Sequence, residues 1–219
     1  MTADLLRALA ERTAHAPEPQ GTGRYHYVHT KGVHLVVSHY LKRSGERTVT
    51  TRSVEPYERR DWMAADGSGR IEVTKDSEFV QPTGDYGPGQ LPGQLLITAA
   101  DEATVEAGLN RLMRETTTSG VVKAVHQVWN LQVVTPALQR LLLLRLAKCA
   151  DLAVDEPCAV THVDDARHRR KQLAFCPETG MLLTAEELAL EGSRIQGVVS
   201  RTEWLYSGYC PATTPPSGH

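Results

Sequence analysis

The sequence predicts an α+β domain in which one large curved antiparallel sheet carries helices packed on its concave face. Three observations carry that expectation. Residues 24–74 alternate side chains with a period of two and are broken by turn signals. Residues 101–148 switch to helical spacing, and from Cys158 the period of two returns. Strands are thus segregated from helices instead of alternating with them, which argues against a parallel nucleotide-binding sheet.

Each element follows in order. Residues 1–16 read as an amphipathic helix, with Asp4, Arg7, Glu11 and Arg12 set on an Ala/Leu background. A Pro/Gly-rich connector over 15–23 ends it. The first strand block, 24–75, reads as strands 24–29 and 34–41 around a turn at Lys31-Gly32, then a turn at Ser44-Gly45 and a strand over 47–54. A further pair, 58–63 and 70–74, is joined through Ala65-Asp66-Gly67-Ser68-Gly69, and Asp-Gly between two such runs is a strong hairpin signal. Residues 81–93, rich in Gly and Pro, read as a loop covering an edge or the mouth of the sheet. Asp101 caps a helix through Val105, Leu109 and Leu112, and Thr135-Pro136 opens another through Leu138, Leu142 and Leu146. Between them 120–134, with Val122, Val125, Val128 and Trp129, reads as a third. The second strand block, 158–206, comprises 159–163, 171–175, 181–183 and 197–206, with turns at Asp164-Asp165 and at 177–180. Residues 1–210 are expected as one domain and 211–219 as a disordered tail.

Composition narrows the function classes. The 219 residues are 41% hydrophobic and 23% charged, ordinary for a globular chain. A net charge of -2 supplies no field to recruit nucleic acid or an anionic membrane. The short basic run Arg167-His168-Arg169-Arg170-Lys171 is expected in a solvated turn. No stretch approaches the roughly 20 apolar residues of a membrane span; Leu141 to Leu144 are interrupted by Arg145 and Lys148 and suit a buried helix face. The opening residues lack the basic start and apolar run of a signal peptide, so the chain as written is expected in the cytosol, and outside it if an upstream anchor or signal is missing.

Little in the sequence points to catalysis. Cys149, Cys158, Cys176 and Cys210 show neither a C-x-x-C pair nor zinc-type spacing; free thiols suit a cytosolic chain, and two disulfides of undetermined pairing an exported one. His26, His29, His34 and His39 crowd the first strands, but alternation splits them between faces, so at most two converge and no metal is expected. Cys158 and His162 would share a strand face, the least favoured, enzymatic reading, but no helix start or Gly-rich turn is there to activate the thiol. The glycines of 87–93 lack the Lys and Ser or Thr of a phosphate loop, and aromatics, at 5%, offer no platform for single-stranded nucleic acid. No cofactor is implied.

Four pieces of sequence carry a resemblance. They are Tyr25-x-Tyr27, the run from Trp62-Met63-Ala64-Ala65-Asp66 through Gly67-Ser68-Gly69-Arg70, Thr135-Pro136-Ala137-Leu138 before a Leu/Arg helix, and the turn Cys176-Pro177-Glu178-Thr179-Gly180. In order and spacing they resemble an actinobacterial family, mostly uncharacterised, with the lipoprotein-carrier (LolA/RseB-like) fold. The resemblance implies a half-barrel with helices lining its hollow, displayed outside the cytoplasmic membrane behind an anchor. It also implies a role in carrying acyl chains or in envelope-stress signalling. This chain departs from the pattern in lacking the anchor and in placing Cys176 where the turn usually starts with Asp.

On the residues themselves, Tyr25, Tyr27, Leu35, Val37 and Trp62 are the candidates to line a hollow for an apolar ligand or lipid, or to pack as core beneath the helices. The expected function is a non-enzymatic binding or sensing module for an apolar ligand or a protein partner under the 81–93 loop. The alternative is a protein-interaction domain with a filled core.

Overall fold

The computed structural model describes residues 2–40, 49–91, 97–155, 158–193 and 195–216. Among them the chain forms four α-helices and eleven strands. Helix α1 is Thr2–Arg12, followed by β1 (Gln20–Gly21), β2 (Tyr25–Tyr40), β3 (Val49–Ala64), β4 (Gly69–Lys75), β5 (Glu78–Phe79) and β6 (Gly84–Tyr86). Helices α2 (Glu102–Leu112), α3 (Thr118–Leu131) and α4 (Pro136–Leu146) come next. The chain then forms β7 (Ala153–Val154), β8 (Ala159–Asp164), β9 (Arg169–Phe175), β10 (Leu182–Ala189) and β11 (Gly197–Cys210). The architecture is α+β, as the segregation of the two periods predicts.

The strands form one open sheet in the order β5-β4-β3-β2-β11-β10-β9-β8-β7, with β6 beside β4 and β1 parallel to β11. The two blocks of sequence meet where β11 pairs antiparallel with β2, so the first strand of one block is joined to the last of the other. Both ends of the order are two-residue strands, which leaves little free edge there for edge-to-edge association.

The helices begin where their caps place them. Asp101 Oδ1 accepts from the Thr104 N–H at 2.9 Å. Thr117 Oγ1 accepts from Gly120 at 3.2 Å, and Thr135 Oγ1 from Leu138 at 3.3 Å, with Pro136 in the first turn where its missing N–H costs nothing. Val121, Val122, Val125 and Val128 of α3 are buried with Leu138, Leu142, Leu143 and Leu146 of α4 and with Leu173 and Phe175 of β9, so the main core lies between the helices and the sheet. Gln139, fully buried, ties three elements: its amide donates to the Gly180 carbonyl at 2.8 Å and its oxygen accepts from Trp129 Nε1 at 2.9 Å.

Several expectations are corrected. Lys31-Gly32 is not a turn: β2 runs unbroken through it, with Gly32 opposite Tyr57 and Thr202. The glycine answers to a close approach instead, since a Cβ there would stand 1.9 Å from the Arg201 carbonyl oxygen. The two strands expected over 47–54 and 58–63 are one, β3, in which Pro56 falls beyond the last β4 pair at Glu58, on a stretch where β3 is an edge and a missing donor is tolerated. The Ser44-Gly45 turn lies outside the described residues. The basic run is only partly solvated: Lys171 is buried, and Arg167 pairs with Asp164 at 2.9 Å and with Glu115. Within 81–91, Gly84–Tyr86 pairs with β4 and Leu91 packs on Met63, Ile71 and Val73, so this segment covers the β4 edge.

Candidate functional site

Alternation along β2 sorts its side chains between two faces. His26, Val28 and Thr30 share one with Asp61 and Met63 of β3 and Trp204 of β11. That face carries the helices: the Val133 N–H at the end of α3 donates to His26 Nδ1 at 3.1 Å, Trp204 Nε1 donates to the Trp129 carbonyl at 3.0 Å, and Leu131 packs on Met63 and Ile71. Tyr25, Tyr27, His29, Lys31, Val33, Leu35 and Val37 share the opposite face, where Trp62 stands across from Tyr27 and Arg60 across from His29.

All five sequence candidates therefore lie on one face, but it is the helix-free one, not a hollow beneath the helices. Tyr27 and Trp62 are fully buried and stack at 4.8 Å, 28° between planes, with Tyr206 5.7 Å from Tyr27 and Cys210 completing the cluster. Tyr25 packs against them and carries the Arg24 guanidinium 4.9 Å above its ring. Burial pushes the Tyr27 phenol up to about 12, only partly offset by Arg60, and its hydroxyl makes no hydrogen bond of ordinary geometry. Leu35 is half-buried and Val37 is 38% exposed, so these two stand apart from the aromatic cluster.

Between the two groups the same face holds an open cavity of about 700 Å³ that spans β4, β3, β2, β11 and β10. Lys31, Val33, Pro56, Glu58, Arg201 and Glu203 line it, joined by Glu186 and Asp76. None of the five candidates lines it, and neither does any residue of 81–91, so that segment is not its lid. The lining carries four carboxylates against two cations, and Glu203 takes both cations, Lys31 at 3.4 Å and Arg201 at 3.2 Å. Glu58 is held from outside by His29 Nε2 at 2.8 Å and by Arg60. The Glu186 carboxylate makes no hydrogen bond or ion pair among the described residues, and the lining carboxylates outnumber the lining cations.

The cavity sits at the root of a two-stranded ribbon. β11 pairs with β2 no further than His34, and β4 pairs with β3 no further than Glu58, whereas β2 and β3 pair with each other out to Tyr40 and Val49. Beyond Leu35 and Val54 neither β11 nor β4 flanks the ribbon among the described residues, and it shows exposed Val37 and Val54.

The other candidates resolve into structural contacts. His29 faces away from His26 and His34; His26 takes the Val133 amide, His34 lies 5.4 Å from the Tyr57 ring, and the His39 side chain is outside the described residues. No three His, Cys, Asp or Glu side chains converge among the described residues. The four thiols are free. Cys158 packs in the aliphatic core and is not hydrogen-bonded to His162, whose Nδ1 lies 3.6 Å from Asp151 instead. One buried polar cluster escaped the sequence reading. Lys171 Nζ donates to Ser119 Oγ at 2.5 Å, and Ser119 donates to Asp164 at 3.1 Å. Burial, with Lys123 nearby, holds the Lys171 ammonium down to about 8. The hydroxyl is held between a cation and a carboxylate, a bridge that ties α3 to β8 and β9.

No family model matches the chain, and no curated protein matches it. Among solved structures it is similar to a chain in the crystal structure of MucB in complex with MucA(peri), at 14% identity and a TM-score of 0.29. The match covers 99% of this chain and 60% of that one, so this chain spans about 60% of its length. No helix among the described residues is long and apolar enough to cross a membrane.

Proposed function

We propose that this chain is a non-enzymatic binding module that takes an extended, basic polypeptide segment of a protein partner on the helix-free face of its sheet. The observation that carries the reading is the open cavity of about 700 Å³ at the root of the projecting ribbon, with its surplus of carboxylates. An extended segment laid beside β2, which β11 pairs no further than His34, would add to the sheet by backbone hydrogen bonds, and Lys or Arg side chains reaching back find Glu186 and Asp76. Such charge complementarity favours encounter and register more than raw affinity. The sheet–helix interior favours an acyl chain less, because its spaces are about 30 Å³ between α3 and β9–β10 and about 200 Å³ beside His26, Val133 and Tyr209, both well short of the open cavity.

A photo-crosslinking side chain at Val33, in the full chain and in the cells that make it, tests the reading against the same probe at Val163, which is 44% exposed on β8. A polypeptide adduct from Val33 alone supports it, and its crosslinked peptide should be basic. Equal adducts from both positions, or a lipid adduct from Val33, overturn it. Native mass spectrometry of the purified chain separates the apolar-ligand alternative, which requires an added mass that is lost on denaturation.

A further inference from the structure

The aromatic cluster at the other end of the helix-free face is joined by one hydrogen bond to this chain's own C-terminal segment. Trp62 Nε1 donates to the carbonyl of Thr214 at 3.2 Å, across 152 residues of sequence. The residues that follow Cys210 read Pro-Ala-Thr-Thr-Pro-Pro, and Thr214, Pro215 and Pro216 are all described. An indole N–H pointing to a carbonyl that precedes a proline, over a bed of tyrosines, is the chemistry by which aromatic grooves hold proline-rich segments. The rings give flat apolar contact, the indole gives one directional hydrogen bond, and proline has already surrendered most of the backbone freedom that binding would otherwise cost. Thr214 is itself biased to extended backbone by the proline after it.

We propose that Tyr25, Tyr27, Trp62 and Tyr206 form a binding site for proline-rich extended segments, and that residues 211–216 fill it in cis. The site is prebuilt: Tyr27 and Trp62 are stacked at 4.8 Å at positions where β2 and β3 are paired on both sides, which fixes their backbone without the tail. The tether sets the competition. With Thr214 only a few residues from the end of β11, the tail faces the cluster at an effective concentration of about millimolar or above, so a proline-rich segment from another molecule displaces it only at comparable concentration or with further contacts. The adjacent cavity on the same face is where such further contacts would be made. The proposal concerns the aromatic end of the face and does not require the cavity reading to hold, so adducts from Val33 and occupancy of the cluster succeed or fail separately.

The test is the indole N–H resonance of Trp62 in a proton–nitrogen correlation spectrum, assigned by its disappearance in Trp62→Phe. In a chain ending at Cys210 that resonance is expected to shift, and a synthetic peptide of residues 211–219 is expected to return it towards its position in the full chain. The same peptide with both Pro215 and Pro216 replaced by Ala should return it less at equal concentration. A folded truncated chain whose Trp62 resonance does not move, or moves but ignores the peptide, overturns the proposal. Should the truncated chain not fold, the full chain carrying Pro215→Ala and Pro216→Ala decides. A displaced Trp62 resonance with faster amide exchange over 212–214 supports the site, and an unchanged resonance overturns it.

Discussion

Replacing Arg59 with Met should unpair a buried carboxylate in the part of the sheet that joins the helix-bearing face to the cavity. Arg59 Nε and Nη2 donate to both oxygens of Asp61, at 2.6 and 2.8 Å, and Asp61 is 5% exposed between Val28 and Ile71 on the neighbouring strands. Removing one partner of such a pair costs about 3–5 kcal/mol, and because Arg59 keeps 36% of its side chain in solvent the lower end, about 3 kcal/mol, applies. The pH dependence fixes the cause. Burial already raises the Asp61 carboxyl, with Arg59 pulling the other way. Without Arg59 the folded chain holds a proton that the unfolded chain has released. The penalty is then full at neutral pH and shrinks as pH falls towards the unfolded value of about 3.9. Urea unfolding of Arg59→Met, Asp61→Leu and the double variant at pH 7 and pH 5 measures this, and the double variant should recover most of the loss. A cost below about 1 kcal/mol at pH 7, or one that grows in acid, would refute the argument that desolvation of Asp61 dominates.

Two further outcomes test the helix side of the sheet. His126 stands edge-on to Trp204 at 5.6 Å, and burial, with Lys171 adding to it, lowers its pKa from 6.5 to about 4. The folded chain therefore refuses a proton that the unfolded chain accepts, so this group's contribution is complete above pH 6.5 and is lost as pH falls towards 4, by up to about 3 kcal/mol. His126→Phe, which keeps a ring against Trp204, should lose less stability between pH 7 and pH 4 than the parent chain in urea titrations; parallel pH profiles would contradict it. Gly180 ends the turn after Cys176 with φ +65, and a Cβ there would lie 2.4 Å from the Leu9 carbonyl oxygen of α1. Gly180→Ala should cost about 2–3 kcal/mol and lower Tm by roughly 4–12 °C, whereas Gly84→Ala, with nothing within 4 Å of the new methyl, should leave Tm almost unchanged.

Local chemistry made the helices and one hairpin legible. Asp101 and the Thr135-Pro136 pair are cap signals that act within four residues, and Asp66-Gly67 turns β3 into β4 through the 2.9 Å bond from the Gly67 N–H to the Ala64 carbonyl. Gly32 shows where local reading fails. Its requirement comes from Arg201, a residue 169 positions away whose carbonyl crowds it, so a turn and a close approach look alike in the sequence. β10 was only partly visible, since Ala185-Glu186-Glu187-Leu188-Ala189 has helical composition and is held as a strand by pairing with β9 on one side and β11 on the other.

The candidate site divides along the same line. Alternation within each expected strand sufficed to put Tyr25 with Tyr27 and Leu35 with Val37, but that the two pairs share one face follows from β2 running unbroken through Gly32, where the sequence reading placed a turn. Which face receives the helices was not legible, since β2 offers apolar side chains to both: Val28 is as buried as Tyr27, one under α3 and the other among aromatics. The cavity was invisible for a different reason. Its Lys, Arg and Glu lining residues come from strands that become neighbours only when β11 closes onto β2, and a charged residue in a half-exposed strand carries no signal that distinguishes a lining position from ordinary surface. The expectation of a disordered tail over 211–219 rests on its place at the end of the chain. Composition says nothing of a partner, and a segment with little backbone entropy left to lose needs only one aromatic bed and one indole N–H to be held in place.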